Sequence, residues 1–308
     1  MTGGAEAARR FIDAASMVVF DFDGPVCAVY SGRGAADLAA TLLSILDPAP
    51  DEGQAITRSH DPLDVLRWTA QHRPHSLAAV EHVLDQGEEL SVASAEPTPG
   101  SHDLIRRLSA HGKVVAVASN NGHQAITSYV QAHGLSPFIR AVSTRPPGRP
   151  DLMKPHPYIL TALSDKAGHP LRGAVFVGDS PSDATAGRVA GLRVIGYANK
   201  QGKAQRLQGA DAIIYSMHDL DLHGYERSMT DGVDERGPNL SGGAHLSGVR
   251  ELKNAHDIED FRDGYQAGAV LPDARFEDED TVVDPPAPDV DEVLDGVRGV
   301  ILPDREDL

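Results

Sequence analysis

The sequence predicts an α/β fold: a doubly wound parallel sheet with helices on both faces, an inserted helical segment after the first strand, and an acidic C-terminal tail. Three observations carry this. From residue 97 onward, short apolar runs alternate with helical patterns. Residues 27–96 break that rhythm with three helical patterns and no convincing strand. Charge is also uneven: residues 225–308 hold 22 acidic and 8 basic side chains, a net −14 of the chain's −17.

The first element is the run MVVFDFDGPV, Met17 to Val26. Its β-branched and aromatic residues read as a buried strand, and Gly24-Pro25 as a turn, so Asp21 and Asp23 fall where the strand runs out. GAADLAATLLSIL, PLDVLRWTAQH and SLAAVEHVLDQGEEL follow as helices, forming a cap over the carboxyl ends of the sheet. The stretch 99–112 has apolar positions at helical spacing and stops at Gly112. Next come the strand KVVAVASNN, a helix near 122–134, the strand IRAVSTR, and a helix from Pro155 to Gly168. The strand AVFVGDS, a helix through Ala184 to Ala190, the strand RVIGYAN and a short strand around ADAIIYS close the pattern. Right-handed crossovers between such strands give a parallel sheet. The expected domains are therefore a core of 1–26 and 97–224, a cap of 27–96, and a largely disordered acidic tail, 225–308.

An apolar content of 41% supports a substantial core, and no basic stripe is present for nucleic acid or an anionic membrane. The lone Cys27 cannot form an internal disulfide and reads as a small buried hydrophobe. Arg9-Arg10 is followed by FIDAASMVVF, whose Asp13 interrupts what an export signal would need as an apolar segment. No run reaches membrane-spanning length, and a cytoplasmic location is expected.

Four polar clusters follow apolar runs or open helices: Asp21/Asp23, Ser119/Asn120, Lys154, and Asp179/Asp183. In a doubly wound sheet, the carboxyl ends of neighbouring strands converge on one crevice, where these clusters can meet. Crowded carboxylates repel unless a cation joins them, and an all-oxygen set suits Mg²⁺. Lys154 and the Ser119 hydroxyl add a charge and a donor fitting a phosphate beside that metal.

DFDGPV at 21–26 (with Asp21 and Asp23), VVAVASNN at 114–121, MKPHP at 153–157 and VGDSPSD at 177–183, in this order, resemble the four motifs of the haloacid dehalogenase-like hydrolase superfamily over residues 15–216. The helical insert resembles the cap of its phosphoglycolate phosphatase and β-phosphoglucomutase branch. The resemblance implies a Rossmann-like core and a Mg²⁺-dependent phosphatase acting on a small phosphorylated metabolite. By that likeness Asp21 is the nucleophile that becomes an aspartyl-phosphate, and Asp23 is the general acid and base. Asp21, the Asp23 backbone carbonyl and Asp179 would hold Mg²⁺, with Asp183 holding a metal-bound water or orienting Lys154. Ser119, the Asn120 amide and Lys154 would grip the phosphoryl oxygens. One departure is Pro25, where the family usually has Thr; it removes a hydroxyl and a backbone donor.

Alternatives stay open within these motifs. A hexose-phosphate mutase would return the phosphate to sugar, a metal-free dehalogenase would lack Asp23, and a metabolite-sensing module would use the acidic tail to engage a protein partner. Arg33, Arg58, His60 and Arg67 of the cap are the candidates for substrate selection. His72, His75 and His82 are close in sequence, but Pro74 interrupts their helix, and they read as exposed side chains rather than a zinc site. Trp68 reads as cap core. GAVLPD at 268–273 recurs as GVILPD at 299–304 and reads as chance or local duplication rather than as a docking motif.

Overall fold

The computed structural model describes residues 2–31, 34–46 and 56–221. Its strands are β1 (Met17–Phe20), β2 (Cys27–Ala28), β3 (Glu96–Pro97), β4 (Val114–Ala118), β5 (Ala141–Ser143), β6 (Val175–Gly178), β7 (Arg193–Tyr197) and β8 (Ala212–Ile214). Its α-helices are α1 (Thr2–Ala14), α2 (Ala35–Leu46), α3 (Pro62–His72), α4 (Leu77–Val92), α5 (Ser101–Ala110), α6 (His123–Ala132), α7 (Tyr158–Thr161), α8 (Leu163–Ala167), α9 (Pro181–Val189) and α10 (Lys203–Arg206). The tail with its repeated hexapeptide, and Arg33, lie outside the described residues.

Six strands form a parallel sheet in the order β5-β4-β1-β6-β7-β8. β1 lies between β4 and β6, so the chain winds outward from β1 in both directions, and the crevice of a doubly wound sheet opens at its carboxyl end. Successive side chains of the strands point to opposite faces, which splits the core in two. Val18, Phe20, Val115, Val117, Val175 and Val177 join Ile12, Leu104, Leu108 and Ile126 on one face. Met17, Val19, Ala116, Ala118 and Phe176 join Ile159, Leu160, Leu163 and Ala186 on the other. Both faces are thus helix-covered, which is why the central strands read as continuous apolar runs rather than alternating ones.

Helices α2, α3 and α4 pack around Leu38, Leu42, Val65, Leu66, Val80, Val83 and Leu84, with Met153 from the sheet side added to their core. The chain leaves for these helices and returns from them through the antiparallel pair β2–β3, with Cys27 opposite Pro97 and Ala28 opposite Glu96. Each of these strands is two residues long, too short for periodicity to register in the sequence.

Three local differences from the sequence reading have physical causes. The helix expected over 155–168 divides into α7 and α8, because Pro157 delays its start and Ala162, with ψ −17°, tightens the chain between the two pieces. The helix expected through Ala184 to Ala190 runs from Pro181 to Val189, since the Ser180 hydroxyl accepts from the Asp183 N–H and Pro181 sits at the first helical position, where its missing donor costs nothing. Residues 2–14 form a helix that Gly3 and Gly4 conceal by their low propensity, although Ala8, Ile12 and Ala15 mark a buried face.

That first helix packs on β8, the outermost strand on its side. The Ile214 carbonyl accepts from Ala198 N–H at 2.8 Å, toward β7, so the Ile213 carbonyl points the other way. A Cβ on Gly4 would stand 2.7 Å from that oxygen, so the glycine allows the helix to approach the strand's open edge. Among the described residues, no helix is long and apolar enough to cross a membrane.

Candidate active site

The site begins where β1 stops pairing with β4. Asp21 N–H donates to the Val177 carbonyl at 2.8 Å, which extends β1 by one residue along β6. Alternation then sends Phe22 into the core, edge-on to Tyr129 with ring centroids 5.3 Å apart, and leaves Asp21 and Asp23 on the cavity side. Gly24 turns the chain with φ +103°, and a Cβ there would lie 2.1 Å from Asp179 Oδ2, so only glycine fits on both counts. The loop closes although Pro25 offers no amide donor. Gly24 N–H donates to the Cys27 carbonyl at 2.7 Å, Val26 and Cys27 both donate to the Phe22 carbonyl, and the Thr98 hydroxyl donates to the Gly24 carbonyl at 2.5 Å.

The four clusters meet. Lys154 Nζ lies 2.7 Å from Asp21 Oδ1 and 2.7 Å from Asp183 Oδ1, and donates to the Ala118 carbonyl at 3.0 Å. Asp21 Oδ1 also accepts from Phe22 N–H at 2.7 Å. Asp183 closes the capping box of α9, its Oδ2 accepting from Asp179 N–H, Ser180 N–H and the Ser180 hydroxyl. One residue therefore starts a helix and anchors the lysine. Asn120 holds Lys154 at both backbone atoms: its Oδ1 accepts from Lys154 N–H at 2.8 Å and its Nδ2 donates to the Lys154 carbonyl at 3.1 Å. The Ser119 hydroxyl, fully buried at the end of β4, donates to Asn121 Oδ1 at 3.0 Å.

Burial governs the charges here. It pushes Asp21 well above the usual carboxylate range, with Asp183 adding to the rise and Lys154 opposing it. Burial acts on Asp183 too, but Lys154 and the donors on its second oxygen outweigh it and hold the group below its ordinary value. Of the two carboxyl groups on Lys154, Asp183 is thus the one held further toward its charged form. Burial opposes the charge on Lys154 as well, yet Asp183 and Asp21 leave it pushed up to about 12. Asp23 is pushed up to about 6 by burial, against a hydrogen bond of 2.9 Å from Val29 N–H.

Oxygens of Asp21, Asp179 and Asp183 lie within 4.8 Å of one another, the one such group of metal-ligating side chains among the described residues. Three hard oxygen donors suit a magnesium-like cation, whose charge would offset the burial that pushes the Asp21 and Asp179 carboxyls up. The residues present therefore fit the ion that the motifs imply.

Above this floor stands a cavity of about 550 Å³, with Asp21, Asp23, Ser119, Asn120, Lys154, Asp179 and Asp183 on the sheet side. Tyr30, His60, Asp61, Leu63 and Arg67 line the opposite side. Of the cap residues named from sequence, His60 and Arg67 reach the cavity, while Arg58 is not among its lining residues. Arg67 is tethered, donating to Asp64 Oδ1 at 3.1 Å and to the Lys154 carbonyl at 3.3 Å. His72, His75 and His82 are exposed, and His72 stacks on half-buried Trp68 at 4.8 Å. Cys27 is buried, and burial pushes its thiol up, which leaves it protonated.

Three charged residues near the site escaped the sequence reading. Lys203, at the start of α10, pairs with Asp179 Oδ2 and donates to Asn199 Oδ1 at 3.0 Å. Glu88 of α4 and Arg145, just past β5, are buried together, 3.0 Å apart. The available signal for Glu88 was its place on the helix face shared by Val80, Leu84 and Ser91, where a charge demands partners.

Fold and site together define an α/β protein whose acidic, lysine-braced centre sits at the carboxyl edge of a parallel sheet. The profile of the haloacid dehalogenase-like hydrolases matches residues 16–191, and the chain belongs to that family. Among curated relatives, the phosphoglycolate phosphatase of Yersinia pestis is 26% identical over 215 residues, covering 66% of this chain and 90% of the relative. That of Escherichia coli is 26% identical over 232 residues with the same coverage. The crystal structure of CbbY from Rhodobacter sphaeroides in complex with phosphate superposes with a TM-score of 0.53 at 19% identity, covering 69% of this chain and 98% of CbbY. A haloacid dehalogenase-like hydrolase from Bacteroides fragilis gives 0.52 at 18%, covering 67% and 100%. These two likenesses establish the fold.

Proposed function

We propose that this phosphatase hydrolyses the monoester of a small phosphorylated metabolite through an aspartyl-phosphate, with Mg²⁺ as its cofactor. One observation carries the reading: three carboxylates and Lys154, all buried or nearly so, converge beside the Ser119 hydroxyl on the floor of a cavity that a small phosphomonoester can enter. The names of the curated relatives put 2-phosphoglycolate first among the candidate substrates.

In this reading Asp21 is the nucleophile. Its Oδ1 is held by Lys154 and Phe22 N–H, leaving Oδ2 to attack phosphorus. As the phosphorus–oxygen bond to the leaving group breaks, Asp23 gives that oxygen a proton, which a carboxyl raised to about 6 still carries in part near neutrality. Water then attacks the acyl phosphate while Asp23 takes back a proton, releasing inorganic phosphate and restoring the Asp21 carboxylate. Lys154, the Ser119 hydroxyl and the Asn120 amide bind the phosphoryl oxygens that stay behind. Asp21, Asp179, Asp183 and the Asp23 carbonyl would hold Mg²⁺. When bound, the ion supplies positive charge that keeps Asp21 ionised and offsets charge on the phosphoryl group. Residues 27–96, with α2 and α3 over the cavity, are the proposed cap, and His60 and Arg67 the proposed contacts to the leaving group.

The test is a panel of phosphorylated metabolites assayed for inorganic phosphate, with Mg²⁺ and with EDTA in excess. Turnover of one or a few compounds, abolished by chelation and restored by Mg²⁺, is the expected result. Transfer to sugar without phosphate release would make the protein a mutase, and full activity in chelator would exclude the metal.

The acid role of Asp23 has its own test in the leaving group. Asp23→Asn should lose about 10²–10⁴-fold in kcat/KM on an alkyl phosphate, whose alkoxide must be protonated. On p-nitrophenyl phosphate, whose phenolate leaves unaided, the loss should be much smaller. Equal losses on both would remove Asp23 from that role.

A further inference from the structure

The Glu88 carboxylate is fully buried and receives donors from three separate segments. Its Oε1 accepts from Asn121 Nδ2 at 3.0 Å, from Arg145 Nη1 at 3.0 Å and from the Tyr30 hydroxyl at 3.5 Å. Its Oε2 accepts from Gly122 N–H at 2.7 Å. Gly122 opens α6 with no side-chain cap of its own, so Glu88 supplies from another helix the anion that a helix N-terminus favours. The space is cut for this purpose: a Cβ on Gly122 would lie 2.5 Å from Asp85 Oδ1 and 3.1 Å from Glu88 Oε2.

Arg145 completes the arrangement. Its side chain is 2% exposed, and Nη1 also donates to the Asn120 carbonyl at 2.9 Å while Nη2 pairs with Asp85. Packing α4 against α6 needs none of these charges, and replacing a buried ion pair by apolar residues is often neutral or stabilising. What the charges reach is more telling. They touch the Asn120 carbonyl, the Asn121 side chain and the Gly122 amide, three consecutive residues of the loop after β4. Through Asn121 the contact continues to the Ser119 hydroxyl at 3.0 Å, and through the Asn120 side chain to both backbone atoms of Lys154.

We propose that Glu88 and Arg145 are positioning residues for the phosphate-binding loop 119–122, so that the hold of α4 on this loop sets the affinity for the phosphoryl group. The inference rests on the proposed phosphatase reading, which makes Ser119, the Asn120 amide and Lys154 the phosphoryl donors. Loss of either side chain leaves those donors present but misaimed, and a donor misplaced by a fraction of an ångström binds a tetrahedral oxyanion poorly.

The experiment uses the full chain with Mg²⁺ and inorganic phosphate as probe, measured by calorimetry and as a competitive inhibitor of p-nitrophenyl phosphate hydrolysis. Glu88→Gln keeps size but leaves one acceptor oxygen where Asn121 Nδ2 and Gly122 N–H each donate to a separate one, so at least one of the Asn121 and Gly122 contacts is lost. Asn121→Ala cuts the same link from the sheet side and decides the matter if Glu88→Gln does not fold. Both should raise the phosphate dissociation constant at least about tenfold, with KM rising by more than kcat falls. Arg145→Lys, which keeps the charge but not the fork, should fall between them and wild type. Glu89→Gln, exposed one residue along the same helix, should match wild type. Folded Glu88→Gln and Asn121→Ala proteins that bind phosphate as wild type does, whatever their melting temperatures, would overturn the inference. Failure of the wild type itself to bind phosphate would overturn the phosphatase reading, and this inference with it.

Discussion

Asp21→Asn is expected to bring turnover below detection while the protein stays folded. The substitution keeps the size of the side chain and an oxygen for the Phe22 N–H and Lys154, but an amide cannot attack phosphorus. Stability should not suffer: burial already pushes the Asp21 carboxyl toward its neutral form, so an uncharged isostere gives up little favourable charge. The metal-free variant should therefore melt at or above the wild-type temperature in circular dichroism. Activity and stability move in opposite directions here, as they do where a site is held in a costly electrostatic state. Appreciable turnover by the folded variant would rule out the covalent route.

Lys154→Met should affect both properties in the same direction. The ammonium group lies 2.7 Å from two carboxylates and 5.4 Å from the Phe176 ring centroid, and the side chain is 2% exposed. Removing one partner of a buried ion pair leaves the other uncompensated, at a cost of about 3–5 kcal/mol. The dependence on pH has a definite sign. Lys154 holds the Asp183 carboxyl below its ordinary value, so that group's stabilising contribution is present above the ordinary carboxylate pKa and lost as pH falls through the lower, folded value. The variant lacks this contribution, so the stability gap between wild type and variant should be wide at pH 7 and narrow in acid. Denaturant titrations at the two pH values measure it; a constant gap would mean that Lys154 does not act through Asp183. Turnover should drop by about 10²–10³-fold or more, the scale for losing one charge-stabilising donor.

Most of the candidate site was legible because strand ends are where sequence and position coincide. An apolar run that stops at Asp21, Ser119 or Asp179 announces both the strand and the polar residue that caps it, and the parallel order of the strands puts those ends side by side. Lys154 was legible only through its prolines, since a single lysine says nothing about burial. Glu88, Arg145 and Lys203 were not legible in the same way. Each has partners more than twenty positions away in the chain, and a lone charge in a helix or loop looks solvated until the fold supplies its opposite number. The two-residue strands β2 and β3 and the glycine-led helix α1 were missed for a simpler reason. Local pattern is weak in short elements, and tertiary packing decides them.

That first helix has a bearing on how copies of the protein behave toward each other. An outer strand carries a row of carbonyls and amides free to pair with a neighbouring molecule, and a flat exposed edge is the usual seed of aggregation. By bringing its backbone against the Ile213 carbonyl, where Gly4 alone leaves room, α1 occupies the edge that β8 would otherwise offer. A bulkier residue at position 4 would lift the helix from the strand without touching the candidate active site. Its cost would appear as lost solubility at high concentration, since β8 would then be open to another molecule's strand.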